Sequence, residues 1–268
     1  MNVGSRPVGA LDGGFDLQAT LECGQSYLWR RADGRMYEEP NAAGGDARYH
    51  VALPSTATET NEPEVIRLRQ VDRLLEWEAS TPNAYARLEE LLRLDDDLEA
   101  IMAATPTDPL LARAYDAFGG MRLVRDPAFP SLVSFICSAQ MRVSRIHGMQ
   151  VALAERYGET VAFDGETYAA FPTAERLAEA TEAELRELSL GYRAPYVKRT
   201  AEMVADSDDP GAMRGEPYEA ARESLTQYVG VGEKVADCVL LFSLGYLQAV
   251  PLDTWIRKIG RASCRERV

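Results

Sequence analysis

Over roughly the first 60 residues, apolar and polar side chains alternate in short stretches. Phe15–Leu21 (FDLQATL), Ser26–Arg31 (SYLWRR), Ala32–Glu39 (ADGRMYEE) and Ala47–Pro54 (ARYHVALP) are the clearest. A period of two sends successive side chains to opposite faces of a strand, so this region predicts short antiparallel strands joined by turns. Asp33-Gly34 supplies a hairpin signal. From Pro63 the period lengthens. Val65–Ala79 (VIRLRQVDRLLEWEA) and Tyr85–Ala104 place apolar residues at helical spacing. So do Pro130–Gln140, Arg145–Gly158, Glu175–Leu188, Ala194–Asp206 and Glu233–Gly245. The pattern predicts an α+β chain, with a small N-terminal antiparallel β-rich domain followed by many short helices.

Composition narrows this outline. The chain has 268 residues, 46% of them apolar, enough for a sizeable core. No apolar run approaches the ~18 residues of a membrane span, and the N-terminus lacks a basic-then-apolar signal pattern. A soluble, cytoplasmic protein with no membrane partner is therefore expected. Cys23, Cys137, Cys238 and Cys264 form no CxxC pair, and His50 and His147 are the only histidines, so no cysteine-based zinc or iron–sulfur metal site is expected. With 29 Lys plus Arg against 42 Asp plus Glu, the net charge is −13. That balance argues against a nucleic-acid partner, since phosphate neutralisation needs cations, unless basic residues line one groove. A prokaryote with the acidic surfaces of a halophilic archaeon would give the same total. The acidic excess is densest from Glu59 to Asp108, where Asp95-Asp96-Asp97 reads as a solvated face.

The final stretch, Ile259–Val268, back-translates into a common sequencing-adapter read. It is expected to be a non-native tail, with the native sequence running to about Lys258 and a C-terminal part missing.

The segment with the most chemical content is Tyr228-Val-Gly-Val-Gly-Glu-Lys-Val-Ala-Asp-Cys238. Two glycines two apart, directly before an apolar helix, allow a tight turn that points backbone N–H groups at a phosphate oxygen. Alone, such a GxG is as readily an ordinary loop between packed helices. Lys234 by itself would be a solvated helix lysine, and Asp253, in Val250-Pro-Leu-Asp253, an N-cap aspartate.

Taken together, these residues resemble the helix-hairpin-helix DNA glycosylase superfamily, whose hairpin reads LPGVGxKxA and is followed by a VPxD aspartate. Four further stretches resemble its 8-oxoguanine DNA glycosylases: Leu21–Trp29 (LECGQSYLW), Phe135–Ser138 with Arg145–Met149, Leu190–Ala194 (LGYRA), and Lys234–Cys238 (KVADC). They run in family order from residue 21 to about 257. The resemblance implies a β-rich domain with trailing helices over residues 1–115 and an all-helical glycosylase core over residues 116–258. It implies a bifunctional enzyme that excises 8-oxoguanine and cleaves the strand through a lysine Schiff base, with no metal and no cofactor needed for base excision by a lysine and an aspartate. Its partner would be double-stranded DNA containing oxidised guanine, bound by a monomer.

Residue by residue, the resemblance makes Lys234 the nucleophile and Asp253 the carboxylate that stabilises positive charge on the sugar. Gly24 would offer its backbone carbonyl to the lesion's N7–H, and Cys238 would pack on the flipped base. Arg145 and Gln140 would contact the estranged base, and Tyr192 and Arg193 would wedge into the emptied stack. The N–H groups near Gly230, Gly232 and Val235 would hold a phosphate. Cations expected along the groove are Arg142, Arg145, Arg193, Lys198 and Arg199. Three departures stand out. Val229 replaces the usual proline, Gln140-Met141-Arg142 replaces an asparagine run, and Trp255 stands where a phosphate-binding histidine is usual. Two alternatives are a monofunctional alkylpurine glycosylase of the same superfamily, which would not need Lys234, and a non-catalytic hairpin DNA-binding module, which would not need Asp253.

Overall fold

The computed structural model describes residues 2–38, 47–206, 209–253 and 256. The expected tail and Trp255 lie outside the described residues.

Five antiparallel strands form the N-terminal sheet: β1 (Asn2–Pro7), β2 (Arg30–Arg31), β3 (Arg48–Leu53), β4 (Glu64–Val71) and β5 (Leu74–Ala79), in spatial order β1-β5-β4-β3-β2. The β3 segment folds as its alternation predicts, with Tyr49, Val51 and Leu53 buried. The helix expected over Val65–Ala79 is instead the β4–β5 hairpin. Ile66, Leu68, Leu75, Trp77 and Ala79 alternate to the buried side, while Arg67 faces Glu78 and Arg69 faces Glu76 across the strands. Asp72 and Arg73, at φ 49° and 65°, make the two-residue turn. Paired positive φ values give the twist that matches a hairpin, and here non-glycine residues adopt them.

The strand expected at FDLQATL is a helical turn, α1 (Leu17–Leu21), because Asp16 caps it by accepting from the amide of Ala19 at 2.9 Å. The ADGRMYEE strand is also absent. Residues 32–38 are turn, with the Asp33 carboxylate accepting from the amide of Arg35 at 2.9 Å.

Three helices follow the sheet, α2 (Ala84–Leu92), α3 (Leu98–Ala103) and α4 (Pro109–Phe118). Arg93, left-handed at φ 49°, ends α2 and splits the long helical pattern. Beyond them stand α5 (Ala128–Cys137), α6 (Val143–Tyr157), a small hairpin β6 (Thr160–Phe163) and β7 (Glu166–Ala169), α7 (Ala174–Ala178), α8 (Glu182–Glu187), α9 (Ala194–Ala205), α10 (Tyr218–Leu225) and α11 (Glu233–Val239), the last running on as a π-helical turn over Leu240–Leu244. The described fold is α+β, a sheet followed by helices.

Among the described residues, two large apolar clusters and a small one of Val65, Val161, Phe163 and Tyr168 hold it together. One large cluster joins the sheet to α1 and α2 through Leu17, Leu21, Trp29, Tyr49, Ile66, Leu75 and Leu88; the other gathers α5, α6, α9, α10 and α11 around Leu132, Phe135, Leu153, Val197, Leu225 and Cys238. Each such large side chain stabilises the fold by about 1.5–3 kcal/mol when buried. Leu28 and Phe242 pack against both large clusters.

Polar side chains reinforce the seam. Arg122, 1% exposed, donates to the carbonyls of Asp12, Gly14, Arg93 and Asp96 at 2.7–3.2 Å, so its buried guanidinium is fully bonded. The buried amide of Gln25 accepts from the Val124 amide at 3.2 Å and donates to the Arg122 carbonyl at 2.9 Å. It thus fixes the loop containing Gly24 to the irregular segment leading into α5.

Candidate active site

The α10–α11 pair and its connecting loop form the helix-hairpin-helix unit. Gly230 sits at φ +86°, and a Cβ there would lie 2.8 Å from Cβ and Cγ of Tyr196 on α9. Glycine is therefore required twice, by the backbone and by the packed ring. The loop is held by the Val231 amide donating to the Tyr228 carbonyl at 3.1 Å and by the Thr200 hydroxyl donating to the Val229 carbonyl at 3.1 Å. Valine in place of proline at 229 leaves this turn formed. Asp237, 4% exposed, accepts from the Tyr218 hydroxyl and from Nε and Nη2 of Arg222 at 2.8–3.0 Å, which locks α10 to α11. Arg222 also draws the solvated Glu233 carboxylate to 3.4 Å. Gly230 and Gly232 are exposed, and no side chain caps α11 at Gly232. Val235 is buried on the other side of that first turn.

Lys234 is half-buried. Its Nζ donates to the Ser138 hydroxyl at 3.0 Å and stands 5.3 Å from the centre of the Phe135 ring. One helical turn on, Cys238 is 2% exposed, and burial pushes its thiol up to about 11 against the opposing pull of Lys234. The Asp237 and Asp253 carboxylates push the same way as burial. Cys238 is accordingly a neutral thiol, suited to packing and not to nucleophilic attack. Asp253 is half-buried, and its Oδ1 accepts from the Ile256 amide at 2.7 Å. That bond to an amide three residues on is of the kind foreseen for an isolated aspartate, and the Asp253 charge is also felt at Cys238.

The Gly24 loop reaches the same place from the sheet side. Gly24 is at φ +85°, and a Cβ there would lie 3.4 Å from Oη of Tyr27 and 3.2 Å from Val143. Tyr27 meets Phe135 edge-on at 5.9 Å, and Phe135 stacks on Phe242 at 5.7 Å. Tyr27, Phe135 and Phe242 thus make one aromatic wall linking Gly24 to Lys234 and Cys238. Burial, with smaller contributions from Cys238 and Cys23, holds the Tyr27 phenol well above its ordinary range.

A second group stands at the end of α5. Gln140 is exposed in the left-handed region at φ 53°, and Tyr192 is 57% exposed. Arg193 differs from the wedge expected of it. It is 4% exposed, its guanidinium lies 4.3 Å from the Tyr192 ring centre, and Nη2 donates to the Ala139 carbonyl. It therefore buttresses the Gln140 turn and the Tyr192 ring. Arg142 and Arg145 are exposed at the start of α6, as is Arg199 on α9. Lys198 is turned inward, donating to the Ala178 carbonyl at 2.9 Å and pairing with Glu202 at 3.0 Å.

The structure thus brings Lys234, Cys238, Asp253 and Gly24 to one wall, and Gln140, Tyr192 and Arg193 to a neighbouring turn. Residues that sequence reasoning did not single out are Ser138, Tyr27, Phe135, Phe242 and Tyr196. Ser138 and Phe135 lay inside a quoted motif, but nothing in their spacing announced contact with a lysine 96 positions away.

Comparison with known proteins agrees in two halves. Residues 10–132 match the 8-oxoguanine DNA glycosylase N-terminal domain, and residues 133–263 match the HhH-GPD superfamily base excision DNA repair proteins. A probable N-glycosylase/DNA lyase of Methanothermobacter thermautotrophicus is 30% identical, over 92% of this chain and 82% of the relative. An N-glycosylase/DNA lyase of Saccharomyces cerevisiae is 31% identical, over 91% and 67%. The crystal structure of the Clostridium acetobutylicum 8-oxoguanine glycosylase/lyase with double-stranded DNA containing cytosine opposite 8-oxoguanine superposes with a TM-score of 0.77, at 27% identity, over 92% of this chain and 79% of that one.

Proposed function

Because the chain belongs to the 8-oxoguanine DNA glycosylases of the HhH-GPD superfamily, we propose that it excises 8-oxoguanine from duplex DNA and cleaves the strand at the emptied site. The observation that supports this most directly is the Lys234 amine, bonded to Ser138, beside the neutral Cys238 thiol and in a field shared with Asp253.

The damaged nucleotide is rotated out of the stack, at a cost of roughly a few kcal/mol. The lone pair of Lys234 Nζ then forms a bond to C1′ while the C1′–N9 bond breaks, its electron pair leaving on the base, which takes up a proton. Nζ loses a proton, the C1′–O4′ bond opens with its pair on O4′, and an imine joins Nζ to C1′. Removal of a C2′ proton expels the 3′ phosphate by β-elimination, and water releases the lysine. Asp253 stabilises the positive charge on the sugar as the base departs.

In this reading Gly24 offers its carbonyl to the N7–H that distinguishes 8-oxoguanine from guanine, and Cys238 packs on the base. Tyr192 and Gln140 fill the vacated stack, Arg193 supports them, and Arg145 reaches the opposite cytosine. The amides near Gly230, Gly232 and Val235 hold a backbone phosphate. The enzyme acts as a monomer in the cytoplasm, with residues 1–115 supplying the Gly24 loop and residues 116–258 the nucleophile.

The test is borohydride trapping on a duplex with 8-oxoguanine opposite cytosine. A covalent adduct that requires the lesion and disappears in Lys234→Gln is expected. Trapping by Lys234→Gln at the unsubstituted level would refute the assignment of the nucleophile. Release of alkylated bases without an adduct would refute the bifunctional reading.

A further inference from the structure

We infer that Ser138 is a positioning residue for Lys234, its hydroxyl oxygen fixing the direction in which the amine's lone pair points. The inference rests on Lys234 being the nucleophile. Ser138 closes α5, and both its amide and its hydroxyl donate to the Phe135 carbonyl, at 3.2 and 2.7 Å. A serine hydroxyl has one hydrogen. With that hydrogen committed to Phe135, only lone pairs of Oγ remain for Lys234, whose Nζ lies 3.0 Å away. The lysine must donate in this contact.

The α5 end strengthens that polarity. Its last carbonyls form the negative pole of the helix dipole, and a donor chain running Nζ–H to Oγ–H to O=C polarises each link. A neutral amine has two N–H bonds and one lone pair at tetrahedral angles. Ser138 takes one N–H, the Cys238 thiol provides a second polar contact, and the Phe135 ring walls a further side. The lone pair is thereby left a restricted direction. Phe135 acts twice, through its ring at Nζ and through its carbonyl at Ser138. Lys234 alone would have four side-chain torsions with which to miss the sugar carbon, and a misplacement of about 1 Å can cost about 100-fold in rate.

The experiment uses the full chain and single-turnover borohydride trapping on two duplexes, one with 8-oxoguanine and one with a preformed abasic site. Base recognition limits only the first; lysine placement limits both. Ser138→Ala keeps the amide bond that ends α5 and is expected to trap on both duplexes at least about tenfold more slowly. Its affinity for the lesion duplex and its urea midpoint are expected to stay unchanged. Ser138→Thr retains the acceptor and is expected to recover most of the rate. The inference is overturned if Ser138→Ala traps both duplexes at the unsubstituted rate. It is equally overturned if affinity and stability fall with the rate and threonine restores nothing. No adduct from the unsubstituted chain on either duplex would refute the nucleophile itself, and this inference with it.

Discussion

Gly230→Ala tests the hairpin where two independent physical terms meet. The residue stands at φ +86°, so an L side chain there costs roughly 1–2 kcal/mol of backbone strain. The new methyl would also lie 2.8 Å from Cβ and Cγ of Tyr196, and forcing it into that contact costs about 1–3 kcal/mol. Together the substitution should destabilise the folded chain by about 2–5 kcal/mol, because the Tyr196 Cβ is fixed to the α9 backbone and cannot yield as a free ring end could. The assay is a double-mutant cycle in urea, using Gly230→Ala, Tyr196→Ala and the pair. Removing the ring should relieve the contacts with Cγ and Cδ2 while leaving the contact with Cβ and the strain, giving a coupling energy of about 0.5 kcal/mol or more in favour of the double variant. Displacement of the hairpin amides should weaken DNA binding in step. A single variant within about 0.5 kcal/mol of the unsubstituted chain would refute the strain, and strict additivity would refute the contact with the Tyr196 ring.

Two further outcomes follow from the electrostatics. Burial, helped by Arg30 and Arg67, lowers His50 from 6.5 to about 4, so between those values the unfolded chain takes up a proton that the folded chain refuses. Stability should fall on acidification from about pH 6.5 towards 4, and the decline should be shallower in His50→Gln; parallel urea midpoints across that range would refute the assignment. Arg145→Ala should reduce the slope of log affinity against log salt by about 0.9, whereas Arg67→Ala, removing a cation already paired with Glu78 and Asp164, should leave it unchanged. Equal changes in the two variants would count against a local DNA groove.

That contrast, if measured, reconciles a net charge of −13 with a polyanionic partner. Several arginines of the sheet and α2 are neutralised in place: Arg31 by Glu22 and Asp33, Arg67 by Glu78 and Asp164, Arg69 by Glu76, Arg87 by Glu90 and Glu64. Among the described residues, no carboxylate forms an ion pair with Arg142, Arg145 or Arg199. The total charge therefore does not describe every part of the surface, since acidic residues pair with several arginines while Arg142, Arg145 and Arg199 stand exposed.

What was legible in the sequence follows from which residues interact locally. The α6 and α9 patterns fold as read because each buries one stripe at helical spacing, and α5 and α11 fold as helices buried over consecutive residues in the core. The hairpin could be placed because Gly230 and Gly232 specify backbone, and backbone geometry is written in adjacent residues. The segment Val65–Ala79 failed for the opposite reason. Its apolar positions satisfy both periods, and the choice between them is made by Asp72 and Arg73 adopting positive φ with no glycine or asparagine to announce it. At FDLQATL, alternation was overruled by one cap, Asp16. The active-site wall shows the same limit at longer range. Lys234, Asp253, Gly24 and Cys238 could be named from motifs, but Ser138 touches Lys234 only because α5 and α11 pack side by side in the helical core. The inward turn of Arg193 likewise depends on the Ala139 carbonyl, 54 residues away, being left unpaired at the end of α5. A cation beside a helix C-terminus satisfies orphan carbonyls wherever the fold delivers it. Arg193 and Lys234 both converge on that one end, so the orientation of the proposed nucleophile and the support of the proposed wedge depend on the same turn of helix.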